Sequence, residues 1–158
     1  MGMLVTVAVV AVMLMEVGTL WSSVLQRERE QELLARGNEI RRAIGLYYRE
    51  GNTFPKSLDD LVLDGRQPTI KRYLRRAYDD PLTGTAEWGV VEGPGETIMG
   101  VFSKAKGTPF KQGNFIASNQ SFTGQGSYQG WVFLYGSVQS NPATRTGPKG
   151  DQLTHDAN

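Results

Sequence analysis

The stretch MLVTVAVVAVMLMEVGTLWSSVLQREREQELLARGNEIRRAIGLYYRE, residues 3–50, decides the fold. It has no proline and is built mostly of residues that favour helix. Two regimes meet in it. From Met3 to Leu25 the only charge is Glu16, and 23 residues rising about 1.5 Å each cross a bilayer core about 30 Å thick. From Gln26 onward Arg and Glu are frequent, while Leu33, Gly37, Ile40, Ile44 and Tyr47 recur at spacings of four, three, four and three and draw one apolar stripe. The pattern predicts a single unbroken helix about 70 Å long, its transmembrane half over residues 1–25 and its polar half over residues 26–50. A cleaved signal peptide needs a basic segment before its apolar core, and no Lys or Arg precedes Arg27. Glu16 is the anomaly, because a carboxylate inside a membrane segment costs about 3 kcal/mol unless it snorkels or meets a partner. Two readings stand for it, reach to the headgroups or contact with a neighbouring copy.

Working outward, Gly51-Asn52 is a helix stop and Phe54-Pro55 forces an extended step. Ser57-Leu-Asp-Asp60 looks like a capping box for a short helix over Leu58, Leu61 and Val62. Thr69 to Tyr78 sets Ile70, Tyr73, Leu74 and Ala77 against Lys71, Arg72, Arg75 and Arg76, which predicts a second short amphipathic helix with a solvated basic side. Glu87–Val91 and Thr97–Phe102 are apolar-rich runs around Glu92-Gly-Pro-Gly-Glu96, the pattern of a hairpin. Ser103 to Gly130 is polar, glycine-rich and punctuated by Phe110, Phe115, Phe122 and Tyr128, and reads as an ordered loop. Trp131–Tyr135 is a last strand signal. Residues 136–158 carry too few large apolar side chains to offset an ordering cost of about 1–2 kcal/mol per residue, and are expected to be disordered. The predicted class is α+β: a long N-terminal transmembrane-to-periplasmic helix packed on a small antiparallel sheet, a globular part over residues 51–135, long loops and a C-terminal tail.

Composition narrows the chemistry. With 17 Lys+Arg against 16 Asp+Glu the net charge is +1, which argues against nucleic acid as a partner held by bulk charge. There is no cysteine, and the one histidine, His155, lies in the polar tail, so thiol chemistry, Cys- or His-based metal centres and a Ser-His-Asp triad lack their parts. Asp79 and Asp80 are the carboxylates calcium would use, but adjacent acids before Pro81 fit a turn better. Gly93-Pro-Gly95 and Gly124-Gln-Gly126 lack the lysine and strand-to-helix setting of a phosphate loop. Trp88 and Trp131 read as core residues. No catalytic constellation and no cofactor site is expected.

Taken in order, the uncharged helix running into a polar one, Arg42-Ala-Ile-Gly-Leu-Tyr-Tyr48, Phe54-Pro-Lys-Ser-Leu-Asp-Asp-Leu61 and Tyr78-Asp-Asp-Pro-Leu-Thr-Gly84 before Glu87-Trp88 resemble the G-type pseudopilins of type II secretion systems and their type IV pilin relatives. The resemblance implies a pilin-like fold and a structural, non-enzymatic subunit. It further implies a single pass through the bacterial inner membrane with the C-terminal domain periplasmic. Assembly into a filament would proceed through the N-terminal helix, with other pseudopilin or pilin subunits, the inner-membrane assembly platform and membrane lipid as partners. On that reading Leu33, Gly37, Ile40 and Ile44 are the candidate subunit interface, joined by Glu16 on the strength of its charge within the span and not as the family's early glutamate. One departure accompanies it: the family's basic leader, peptidase site and early glutamate fall at or before Gly2, and no basic residue precedes the span to hold the N-terminus in the cytoplasm, so a start upstream of Met1 is expected. The competing readings are a single-span membrane-anchored periplasmic protein that binds a ligand or protein at the 103–130 loop, and a membrane-tethered enzyme, against which the missing His, Cys and paired acids weigh.

Overall fold

The computed structural model describes the backbone of residues 2–136 and the side chains of residues 22–136; the expected tail from residue 137 and the side chain of Glu16 lie outside the described residues. Helix α1, Gly2–Gly51, is one uninterrupted element of 50 residues, about 75 Å long at 1.5 Å per residue. It stops where the chain enters the left-handed region at Asn52, φ 52°, whose N–H still bonds the Tyr48 carbonyl. Among the described residues no helix is long and apolar enough to cross a membrane.

The Phe54-Pro55 step then crosses to the sheet, and the Pro55 carbonyl accepts from Ile98 N–H at 2.7 Å. The short α2, Asp59–Val62, begins with the expected reciprocal cap: Ser57 N–H donates to Asp60 Oδ2 at 3.0 Å, and Asp60 N–H donates to Ser57 Oγ at 3.3 Å. The second short helix, expected at Thr69–Tyr78, does not form. The segment is irregular, tied by one isolated bridge between Asp64 and Lys71, with Leu74 buried and Ile70 63% exposed. The reason lies in α2, which is too short to use its own carbonyls. Leu61 C=O instead accepts from both Tyr73 N–H and Leu74 N–H, and this pulls the following segment across it.

Strands β1, Gly89–Gly93, and β2, Thr97–Phe102, form the anticipated hairpin, with a register irregularity between Val91 and Glu92 and a turn that places Gly95 and Glu96 at positive φ. Strand β3 is only Phe133–Leu134, shorter than the Trp131–Tyr135 run, because a 3₁₀ turn at Tyr128–Gly130 leads straight into Trp131. The sheet order is β1-β2-β3, all antiparallel, and β2 lies against α1. The fold is therefore α+β, one long helix on a small three-stranded sheet. Between them sits the core: Leu33, Ile40, Ala43, Ile44 and Tyr47 of α1 meet Ile98, Val101 and Phe133 of the sheet. Leu61, Leu74 and Trp88 extend this core, and the predicted loop 103–130 adds to it. Phe115, Phe122 and Tyr128 are buried around Trp131, with the Phe122 and Trp131 rings stacked at 5.7 Å and an interplanar angle of 9°.

Candidate functional site

The stripe on α1 faces the chain's own sheet. Leu33, Ile40 and Ile44 are at most 1% exposed and belong to the chain's own core. Gly37 lies so close to Phe133 that an added Cβ would stand 2.5 Å from its Cδ2. Leu33, Gly37, Ile40 and Ile44, the residues expected at a subunit interface, form the seam between helix and sheet within the chain. Helical periodicity reports that one face is apolar, and the same pattern serves a sheet or a neighbouring helix. Among the described residues, the face of α1 turned away from the domain carries Glu28, Gln31, Ala35, Arg42 and Arg49, all exposed.

Below the seam α1 holds a buried carboxylate. Glu30 is 2% exposed, and its Oε1 accepts from Phe110 N–H at 2.7 Å and from the Tyr128 hydroxyl at 2.6 Å, while Oε2 accepts from Lys111 N–H at 3.1 Å. Gln26 completes the clamp by donating from Nε2 to the Tyr128 oxygen at 2.6 Å. Three donors satisfy the charge, which is what makes its burial tolerable. In the sequence Glu30 is one more charge in the run Arg27-Glu-Arg-Glu30. The signal that finds it is its position: 30 and 26 continue the stripe of 33, 37, 40, 44 and 47 downward at helical spacing, so both had to face the domain.

At the other end of α1 the Arg66 guanidinium lies over the Tyr47 ring, 3.4 Å from its centroid, and reaches the Tyr47 carbonyl at 3.2 Å. Its Nη2 pairs with Asp64 at 2.7 Å, and Asp64 also accepts from the Tyr73 hydroxyl at 3.1 Å. Glu50 takes Tyr73 at 2.9 Å and is paired with Lys71. Nothing local in the sequence announces this knot. Arg66 and Lys71 hold both carboxylates, and among the described residues no group of three or more His, Cys, Asp or Glu is placed to hold a metal ion.

Asp80 sits fully buried, and both of its oxygens are spoken for: Oδ1 accepts from Leu82 N–H at 2.9 Å and Oδ2 from the Ser103 hydroxyl at 2.6 Å. Asp79 contributes its carbonyl to Arg36 at 2.6 Å. The pair builds the Asp-Pro turn, closed by Gly84 N–H to Asp80 C=O at 2.7 Å, and pins it to the end of β2. Trp88 and Trp131 are buried as expected, and Trp88 Nε1 donates to the Tyr78 carbonyl at 2.7 Å. The aromatics proposed to hold a ligand in the 103–130 loop are core residues, except Phe110, which is 48% exposed.

The two knots make opposite demands on pH. Burial first, then the Glu30 hydrogen bond, pushes the Tyr128 hydroxyl up to about 12 from 10.0, with Gln26 working against them. A raised value favours the neutral phenol in the fold, so this stabilisation is complete below pH 10.0 and is lost as pH rises through about 12. The Arg66 hydrogen bond holds Asp64 down at about 2 from 3.8 against the opposing effect of burial, so its contribution is complete above pH 3.8 and is lost as pH falls through about 2. Melting temperatures of the full chain should therefore fall on both sides of a broad plateau. Tyr128→Phe should reduce the alkaline limb, which Tyr73 also shapes, and leave the acid limb unchanged, while Asp64→Asn should reduce the acid limb and, through Tyr73, part of the alkaline one; limbs unchanged in the variants would show that other groups carry them.

The arrangement offers buried carboxylates already satisfied and a helix face left polar and uncovered. No family model, no curated protein and no solved structure matches this chain.

Proposed function

We propose that this chain is a structural subunit of the pseudopilin or pilin type, singly anchored in the bacterial inner membrane by the apolar start of α1 with its domain on the periplasmic side, and that it assembles with other such subunits along that helix. The observation that carries the reading is the length of α1 against the size of its domain. A 50-residue helix extends over about 75 Å, while its seam to the sheet runs only from Leu33 to Tyr47. The apolar run below Leu25 requires another cover, which lipid and neighbouring helices supply. The Asp-Pro turn locked to β2 and the capping box after Phe54-Pro55 agree with the motif order that the resemblance rests on.

Assembly on this reading uses the outward face of α1 around Ala35, not the buried stripe. The chain has no cysteine, so a single Ala35→Cys variant reports its neighbours without ambiguity. Oxidative cross-linking of the full chain in membranes should give a disulfide dimer through Cys at this small, exposed position, whereas Cys in place of the buried Ala43 should give none. Equal cross-linking at both positions, or none at Ala35 when subunits are shown to be co-assembled, would overturn assembly along this face.

A further inference from the structure

Between Thr97 and Gly150 the sequence has no acidic residue, and the loop Ser103–Gly130 carries Lys104, Lys106 and Lys111. A chain of net charge +1 has therefore concentrated positive charge in one segment. The fold brings that segment to the lower end of the domain. Glu30 holds the backbone of Phe110 and Lys111 against α1, and the Arg27 guanidinium lies 5.7 Å from the Phe110 ring centroid. Phe110 stands between two grooves of about 580 and 440 Å³; the larger is lined by Leu25, Gln26, Arg29, Lys106 and Phe110, the smaller by Arg27, Leu34 and Lys111. Phe110, Val24 and Leu25 are 48, 58 and 47% exposed, so apolar surface and cations occur together.

We propose that the 104–111 loop is a membrane-contact surface. It seats Phe110 at the boundary between headgroups and acyl chains and places Lys104, Lys106, Arg27 and Arg29 against anionic phospholipid headgroups of the leaflet from which α1 emerges. The inference rests on the anchored reading of α1. Its geometry follows from the helix rise: Leu25 ends the apolar run, and Glu30, which carries the loop, is five residues further, about 7.5 Å. The headgroup layer on each side of a bilayer is about 5–7 Å thick. A loop held at that height must lie in or on this layer, where an aromatic ring and lysines are the favoured residue types. An acidic protein surface would satisfy the lysines equally, but it would not require an exposed Phe beside the last apolar turn of the helix.

The contact orders the domain. A helix that merely spans would leave helix and domain free to turn together about the helix axis and to tilt; a cationic foot beside the helix fixes which face of α1 looks along the membrane and which looks toward neighbours. Each lysine near an anionic surface strengthens such contact about five-fold, so neutralising two weakens it by roughly 25-fold and reversing them weakens it further.

The test uses the full chain in phosphatidylcholine vesicles with or without a quarter phosphatidylglycerol, and bimane attached at Thr108→Cys or at Arg72→Cys, an exposed position at the opposite end of the domain next to Lys71, which pairs with Glu50. Lipids brominated near the headgroup serve as quenchers. The expected result is strong quenching at position 108 in the anionic vesicles, little at 72, and loss of the difference on Lys104→Glu with Lys106→Glu, two exposed residues, while the melting temperature stays unchanged. Flotation on a density gradient after a high-salt wash separates the two claims. Chains that float but show equal quenching at 108 and 72, or equal quenching at 108 in neutral and anionic vesicles, overturn the lipid-contact surface and leave the anchor standing. Chains that fail to float overturn both. Quenching at 108 that disappears when protein is diluted into excess lipid assigns the loop to a second copy and overturns the proposal.

Discussion

Replacing Gly37 with arginine should unfold the domain rather than spare it. A Cβ at this position would already stand 2.5 Å from Phe133 Cδ2, and Phe133 is completely buried against α1. Alanine here gains about 1 kcal/mol in helix propensity over glycine, yet forcing the ring aside in a closed core costs about 1–3 kcal/mol, so Gly37→Ala should be mildly destabilising. Arginine adds a long chain and an unpaired charge where Leu33 and Ile40 leave no water, and the loss should exceed about 4 kcal/mol. For a domain with a stability of about 5–15 kcal/mol that is a large fraction of the total. Thermal melts of the full chain in detergent micelles should show Gly37→Arg with no cooperative transition at temperatures where the parent is folded, and Gly37→Ala a few degrees below the parent. A Gly37→Arg protein that melts like the parent but fails to cross-link to its neighbours would return the stripe to a subunit interface and contradict the packing described above.

The second large effect belongs to Glu30. Truncation to alanine removes the acceptor of Phe110 N–H, Lys111 N–H and the Tyr128 hydroxyl at once, the hydroxyl buried and the two amides part-buried. A buried donor left without a partner costs about 1–3 kcal/mol and water reaches the two amides, so the sum should come to about 2–4 kcal/mol. Glutamine keeps one oxygen for Phe110 and Tyr128 but turns an NH₂ toward Lys111 N–H, so Glu30→Gln should lose about half as much. Amide hydrogen exchange gives the sharper readout. Phe110 and Lys111 should lose protection by several orders of magnitude in Glu30→Ala, while Val101, in the middle of β2, follows only the global loss of stability. Unaltered protection at Phe110 and Lys111 would mean that the loop is held by something other than this carboxylate.

What the sequence determined was local. The proline-free run to Glu50 specified α1, Ser57 with Asp60 specified a capping box, and the Gly93-Pro94-Gly95 turn between two β-branched runs specified the hairpin, because caps, turns and periodicity act over a few residues. The burial of Trp88 and Trp131 was legible from hydrophobicity alone. Three things were decided only by the tertiary structure. The 69–78 segment has helical spacing but gave its N–H groups to Leu61, since a non-local acceptor outweighed a weak intrinsic preference. The stripe of Leu33, Gly37, Ile40 and Ile44 showed that α1 must bury one face, yet whether sheet or neighbouring helix covers it depends on where Phe133, nearly a hundred residues later, returns. Glu30 looks like one more charge in Arg27-Glu-Arg-Glu30 until the chain brings back Phe110, 80 residues away, to bind it. A hydrogen bond between such distant residues leaves no periodic trace, because its two ends are brought together by everything folded between them.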